Sequence, residues 1–228
     1  MPRLLEGIAV LFDLDGTLVD TAGDLAASLN HTLIAAGLSP TPLDRVRHLV
    51  GHGARAMIEK GLADAGAPAA ARQQLDDHLT VFLAHYERHL AVQSRPFPGA
   101  LDAIAEMRAD GATIAICTNK REALARALIE ELGLAGLFAA IHGPDATGFA
   151  KPDPRPVLHC LEAAGAARGV FIGDSDTDIR AAKAAGMPCL AALFGYGPLD
   201  LSAEAFALFS SYQELPALVR RAAGGLSA

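Results

Sequence analysis

The sequence predicts an α/β fold: a parallel sheet wrapped by helices, with an all-helical segment inserted after the first strand. Three observations predict it. The apolar run Ile8-Ala9-Val10-Leu11-Phe12 ends on the carboxylates Asp13 and Asp15, as a buried strand does when it delivers polar groups to the carboxyl edge of a parallel sheet. Short apolar runs alternate with helical patterns in the second half of the chain, which implies strand-helix-strand units. From about Thr21 to about Ser94 the pattern is helical, with no convincing strand.

Taken in order, the first strand is Ile8 to Phe12, and the inserted segment follows it. Leu25, Leu29, Thr32, Leu33 and Ala36 form one helical stripe that stops at Gly37. Thr41-Pro42 reads as an N-cap followed by a first-turn proline. Leu75, Leu79, Phe82, Leu83, Tyr86 and Leu90 form a second long stripe at helical spacing, and its aromatics read as core. Ser94-Arg95-Pro96-Phe97-Pro98-Gly99 is a stiff hinge back to the α/β pattern, because its prolines disfavour helix. The later strands are expected at Thr113 to Cys117, Ala139 to Ile141, Val170 to Ile172 and Cys189 to Leu193. Helices are expected at Ala100 to Asp110, Arg121 to Leu132 and Asp176 to Ala185, each stopped by the glycine that follows.

Composition narrows the class of partner. The chain has 228 residues, 51% hydrophobic and 20% charged, with a net charge of -7, which suits a globular protein and not a disordered one. Nucleic acid and anionic membrane would each need a basic face, so neither is expected as a partner. No run approaches the ~18 apolar residues of a membrane span. Cys117, Cys160 and Cys189 are too few and too scattered for a disulfide framework, and the odd count fits a reducing cytoplasm. A cleaved signal peptide is hard to accommodate before Asp13. A monomer or a homodimer is expected.

Paired aspartates invite a calcium-loop reading, which the spacing excludes. An EF-hand loop needs acids at positions one, three and five, glycine at six and glutamate at twelve. Counted from Asp13, glycine falls at position four; counted from Asp174, position six is Ile179 and position twelve is Ala185. Burying Asp13 and Asp15 without a partner is too costly, and a hard divalent ion such as Mg²⁺ suits oxygen ligands. Two later strands run into polar groups, Thr118-Asn119 and Gly173-Asp174-Ser175-Asp176-Thr177-Asp178, with Lys151-Pro152-Asp153 between them. Parallel strands bring these ends to one edge, beside Asp13 and Asp15.

In this order of motifs the chain resembles the haloacid dehalogenase superfamily, specifically its phosphatases with a helical cap. The resemblance covers nearly the whole chain and implies a Rossmann-like, three-layer core at 1–20 and 95–228, with the cap at 21–94. It implies Mg²⁺-dependent hydrolysis of a small phosphorylated metabolite. Asp13 would attack phosphorus and form an aspartyl-phosphate, and Asp15 would protonate the leaving alcohol and then activate water. Thr118, Asn119 and Lys151 would hold the phosphoryl oxygens. Asp13, the Asp15 carbonyl and Asp174 would hold the metal, with Asp178 orienting those ligands from behind. Dehalogenases resemble this family but lack the second aspartate, so Asp15 speaks against halide displacement. Phosphonate-cleaving relatives use a cap lysine, whereas the cap's only lysine, Lys60, reads as a surface residue. Transport ATPases need membrane helices.

Substrate contacts are expected in the cap segment Val50-Gly51-His52-Gly53-Ala54-Arg55. Its glycines permit close approach, and Arg55 or His52 would meet a negative group; a plain helix-to-helix turn is the competing reading. This Gly-x-Gly stretch, with Asp13 through Asp20, resembles the phosphoglycolate phosphatases, which implies 2-phosphoglycolate as substrate and a place in carbohydrate metabolism. Sugar-phosphate or amino-sugar-phosphate hydrolysis, sugar phosphomutase activity, and a non-catalytic phosphate-binding regulator are the other readings.

Overall fold

The computed structural model describes residues 3–68 and 73–226. Eight strands form: β1 (Ile8–Phe12), β2 (Val19–Asp20), β3 (Arg95–Pro96), β4 (Thr113–Cys117), β5 (Ala140–His142), β6 (Arg168–Gly173), β7 (Cys189–Ala192) and β8 (Ala207–Phe209). Six of them make one sheet in the order β5-β4-β1-β6-β7-β8, with every pairing parallel. β1 is therefore central, and all five of its residues are buried, which explains a strand that is apolar throughout instead of alternating.

The pleat sends successive β1 side chains to opposite faces, and each face has its own core. Ile8, Val10 and Phe12 pack into the cluster that includes Met107 of α5 (Ala100–Ala109), Leu128 of α6 (Glu122–Glu131) and Val219 of α9 (Leu215–Gly224). Ala9 and Leu11 pack with Val157 and Cys160 of α7 (Arg155–Ala163) and Ile179 of α8 (Asp176–Ala184). Helix, sheet and helix make the three expected layers. Gly111, Gly133 and Gly186 take positive φ just past their helices, where a Cβ would be strained.

The inserted segment is helical: α1 (Ala22–Ala35), α2 (Leu43–Arg47), α3 (Ala54–Asp64) and α4 (Leu75–Tyr86). Leu25, Leu29 and Leu33 of α1 are buried together with Ile58, Leu62, Phe82 and Tyr86. The chain enters through β2 and leaves through β3, and these two short strands pair antiparallel, Asp20 opposite Arg95. The hinge segment thus carries a strand pairing. Asp24 fastens the same junction, because its buried carboxylate accepts hydrogen bonds from the backbone of Gln93 and Ser94 and from the Ser94 hydroxyl at 2.7–3.1 Å.

Two local expectations are corrected, and further elements form beside those expected. Pro42, not Thr41, is the N-cap of α2; the Thr41 backbone is held instead by the Asn30 side chain at 2.7 and 3.0 Å. The third sheet strand covers Ala140–His142, shifted by one residue. Helices α7 and α9 and strand β8 also form, although no periodic run announced them. Among the described residues no helix is long and apolar enough to cross a membrane.

Candidate active site

Asp13 continues the β1 ladder one step beyond the strand, its N–H donating to the Ile172 carbonyl at 2.8 Å. The chain then turns sharply at Gly16, with φ 86°. A Cβ there would stand 2.7 Å from Asp174 Oδ2, so this position requires glycine for conformation and for room. The turn points the Thr17 hydroxyl at Asp174 Oδ1, 2.7 Å away. Asp174 Oδ2 accepts from the backbone of Tyr196 at 2.7 Å and Gly197 at 3.2 Å. One carboxylate is thus oriented by three donors from two loops.

Lys151 lies between two carboxylates, its Nζ 2.9 Å from Asp13 Oδ1 and 2.7 Å from Asp178 Oδ1, with a side chain 1% exposed. Asp178 Oδ2 accepts from Ser175 Oγ at 2.6 Å and from the Asp174 N–H at 3.2 Å. Asp13, Asp174 and Asp178 bring carboxylate oxygens within 4.8 Å of one another, all buried. The Asp15 carboxylate turns elsewhere: Lys120 Nζ donates to both its oxygens at 2.7 and 2.9 Å, and the Thr21 hydroxyl donates at 2.7 Å.

Burial raises Asp13 to about 7, against the opposing charge of Lys151. Burial, with the neighbouring charge of Asp178, raises Asp174 to about 6. Burial disfavours the charged form of Lys151, but Asp13 and Asp178 outweigh it and hold its pKa above the usual lysine value. With all groups ionised, Asp13, Asp15, Asp174 and Asp178 carry four negative charges against two positive ones on Lys120 and Lys151. A buried excess of two negative charges, presented on oxygen donors, fits a divalent cation.

Stability should follow from these shifts. Unfolding returns Asp13 and Asp174 to ordinary values near 3.8, so the unfolded chain holds fewer protons between that pH and about 7. The metal-free fold is then most stable at the acid side of this window and loses stability as pH rises through it. Differential scanning fluorimetry should show the melting temperature falling by several degrees from pH 5 to pH 7.5, with stabilisation by added Mg²⁺ growing over the same range. A flat profile, with or without metal, would count against the buried acid cluster.

The remaining expected residues divide between core and cap. Thr118 is buried at the end of β4, its N–H bonded to the His142 carbonyl at 3.0 Å. The Asn119 side chain ties three loops, donating to the Gly51 carbonyl at 3.1 Å and the Lys151 carbonyl at 3.0 Å while accepting from the Lys151 N–H at 2.8 Å. Gly51 and Gly53 take φ of 106° and 85°, and a Cβ on Gly53 would meet the Asn119 carbonyl at 3.5 Å. The cap loop therefore lays its backbone against the core. Of the side chains expected to meet substrate, His52 is exposed, and Arg55 forms an exposed ion pair with Asp76.

Asp13, Asp15, Thr118, Asn119 and Lys120 face a cavity of about 60 Å³, lined on the side of the inserted segment by Leu25, Val50, Met57, Phe82 and Tyr86. Phe82 and Tyr86 are core residues, as their spacing implied, and they also wall this cavity. Lys120 was missed, although it directly follows Thr118-Asn119 in a loop leaving a buried strand. Tyr196 was missed too; its hydroxyl contacts Asp20 at the junction with the cap.

The haloacid dehalogenase-like hydrolase family profile matches residues 9–186. Among curated proteins, the phosphoglycolate phosphatase of Mesorhizobium japonicum is 49% identical over 194 residues, 82% of this chain and 83% of that one. The phosphoglycolate phosphatase of Agrobacterium fabrum is 46% identical over 198 residues, 85% and 83% of the two chains. Among solved structures, CbbY from Rhodobacter sphaeroides in complex with phosphate superposes with a TM-score of 0.73 at 26% identity, over 92% of this chain and 98% of that one.

Proposed function

The chain belongs to the haloacid dehalogenase-like hydrolases, and on that premise we propose that it hydrolyses 2-phosphoglycolate to glycolate and phosphate. The observation that carries this reading is the pairing of two differently housed aspartates, Asp13 beside Lys151 and Asp15 beside Lys120, in the wall of a small cavity. The names of the similar curated proteins support the same substrate.

Asp13 attacks phosphorus; its new O–P bond replaces the bond to the glycolate oxygen, leaving an aspartyl-phosphate. Asp15 gives its proton to the departing oxygen and later takes one from the water that cleaves the acyl-phosphate. Lys151 and Thr118 hold the phosphoryl oxygens, and Asn119 keeps the Lys151 loop and the cap loop in place. Mg²⁺, held by Asp13, Asp174 and the Asp15 carbonyl with Asp178 behind them, would supply the remaining positive charge against the phosphoryl group.

In this reading the core comprises 1–20 and 95–228 and the cap 21–94, the outermost bounds lying beyond the described residues. The paired β2 and β3 at both crossings support that division. The free, buried thiols support a cytoplasmic setting. Room for only a few water-sized groups favours a two-carbon leaving group over a hexose. A panel of metabolite phosphates with Mg²⁺ tests the proposal: kcat/KM for phosphoglycolate should exceed that for hexose phosphates by about tenfold or more, and chelation should remove activity that Mg²⁺, but not Ca²⁺, restores. A lead for a sugar or amino-sugar phosphate would overturn the substrate, and full activity after exhaustive chelation would overturn the metal.

A further inference from the structure

A two-carbon acid offers little surface, so its carboxylate must be recognised if the enzyme is to select it. Arg55 does not face the cavity in this structure; it is paired with Asp76. The cavity is nevertheless lined by two cations, Arg121, which is exposed, and Lys120, whose side chain is 6% exposed and which already touches Asp15. Two of the three N–H groups of Lys120 are accounted for by the two Asp15 oxygens. Its Nζ also stands 4.9 Å from the centre of the Tyr86 ring. Tyr86 is 1% exposed, and its hydroxyl is buried without a hydrogen-bond partner. An orphaned buried donor is costly, and this one belongs to a residue lining the cavity.

We propose that Lys120 and Tyr86 form the carboxylate-binding corner of the site, selecting a phosphomonoester whose leaving group carries an acid one carbon from the bridging oxygen. The inference rests on the phosphoglycolate reading and deepens it. Geometry supplies the reason. The bridging oxygen must come within hydrogen-bond reach of Asp15, and in glycolate the carboxylate oxygens lie only ~3 Å from that oxygen. A substrate docked on Asp15 therefore brings its carboxylate to the ammonium that Asp15 already touches. The carboxylate accepts the third Lys120 N–H and the free Tyr86 O–H. The apolar groups around it, Leu25, Met57 and Phe82, exclude water and strengthen both bonds.

The test compares kcat/KM for 2-phosphoglycolate and ethyl phosphate, which share a two-carbon leaving group and differ in the carboxylate. Lys120→Met should lower the phosphoglycolate-to-ethyl-phosphate ratio by about 30-fold or more, while rates on both substrates fall because Lys120 also positions Asp15. Tyr86→Phe removes only an unpaired hydroxyl, so it should fold with unchanged or raised melting temperature and lower the ratio by ~3–10-fold, mainly through KM. Should the methionine variant fail to fold, Lys120→Gln and Tyr86→Phe carry the same comparison. A ratio unchanged in the variants, with wild-type preference for phosphoglycolate intact, overturns this inference and leaves the proposed function standing. A wild-type enzyme with no such preference overturns both.

Discussion

Asp13→Asn is expected to abolish turnover, by about 10⁴-fold or more, while the protein remains folded. An amide fills nearly the same space, so the contact with Lys151 and the backbone bond to Ile172 can persist. What is lost is the oxygen proposed to attack phosphorus. Since burial pushes Asp13 up to about 7, a neutral side chain at this position relieves the cost of burying a charge there, and with it the repulsion from Asp178 and Asp174, at the expense of the attraction to Lys151. The metal-free variant should therefore melt no lower than wild type at pH 8. Steady-state kinetics and a thermal melt check both halves, and activity within tenfold of wild type would remove Asp13 from its assigned role.

Lys151→Met should damage catalysis and stability together. The ammonium is the shared partner of Asp13 and Asp178, and all three side chains are buried. Breaking a buried pair from one side costs about 3–5 kcal/mol, because the remaining charges are left uncompensated. For a chain of this size that corresponds to roughly 6–20 °C in melting temperature. The loss should be smaller at pH 5.5 than at pH 8, since the stranded carboxylates can then take up protons. Turnover should fall by about 10³-fold, the scale for removing a group that stabilises charge in the transition state. A melting temperature that falls equally at both pH values would place the defect in packing and not in charge.

Much of this site was legible in the sequence because order along the chain already says which strand ends share a sheet edge. An apolar pentapeptide ending in Asp13 and Asp15, Thr118 after a second apolar run, and Asp174 after a third leave little freedom in a parallel sheet. Direction of side chains is a different matter. Lys120 meets Asp15 across 105 residues of chain, and no local periodicity encodes such a contact. Arg55 illustrates the converse: the Gly-x-Gly stretch announced a close approach, which the backbone of Gly51 and Gly53 makes, but α3 begins at Ala54 and carries Arg55 out toward Asp76. Strand β8, three residues long and only partly buried, is too short for an alternating pattern to register. Helix α7 starts with Arg155 and Pro156 right after the Lys151 loop, so its onset merges with a segment read for its chemistry.

The central place of β1 has a consequence for how the enzyme is made. Ala9 pairs with Thr113 and Ile8 with Arg168, 160 residues further along. At translation rates of roughly 5–20 residues per second, this strand waits ~8–30 seconds after synthesis before its second neighbour exists. Until Thr113 to Cys117 is made, Ile8 to Phe12 is an unpaired apolar strand on a nascent chain, and until Arg168 to Gly173 is made it keeps one open edge, exposed to capture by chaperones or by other strands. The helices of the insert can pack locally in the meantime, since their contacts are short in sequence. The described helices of the insert are thus made before the strand that brings Asp174 to the site.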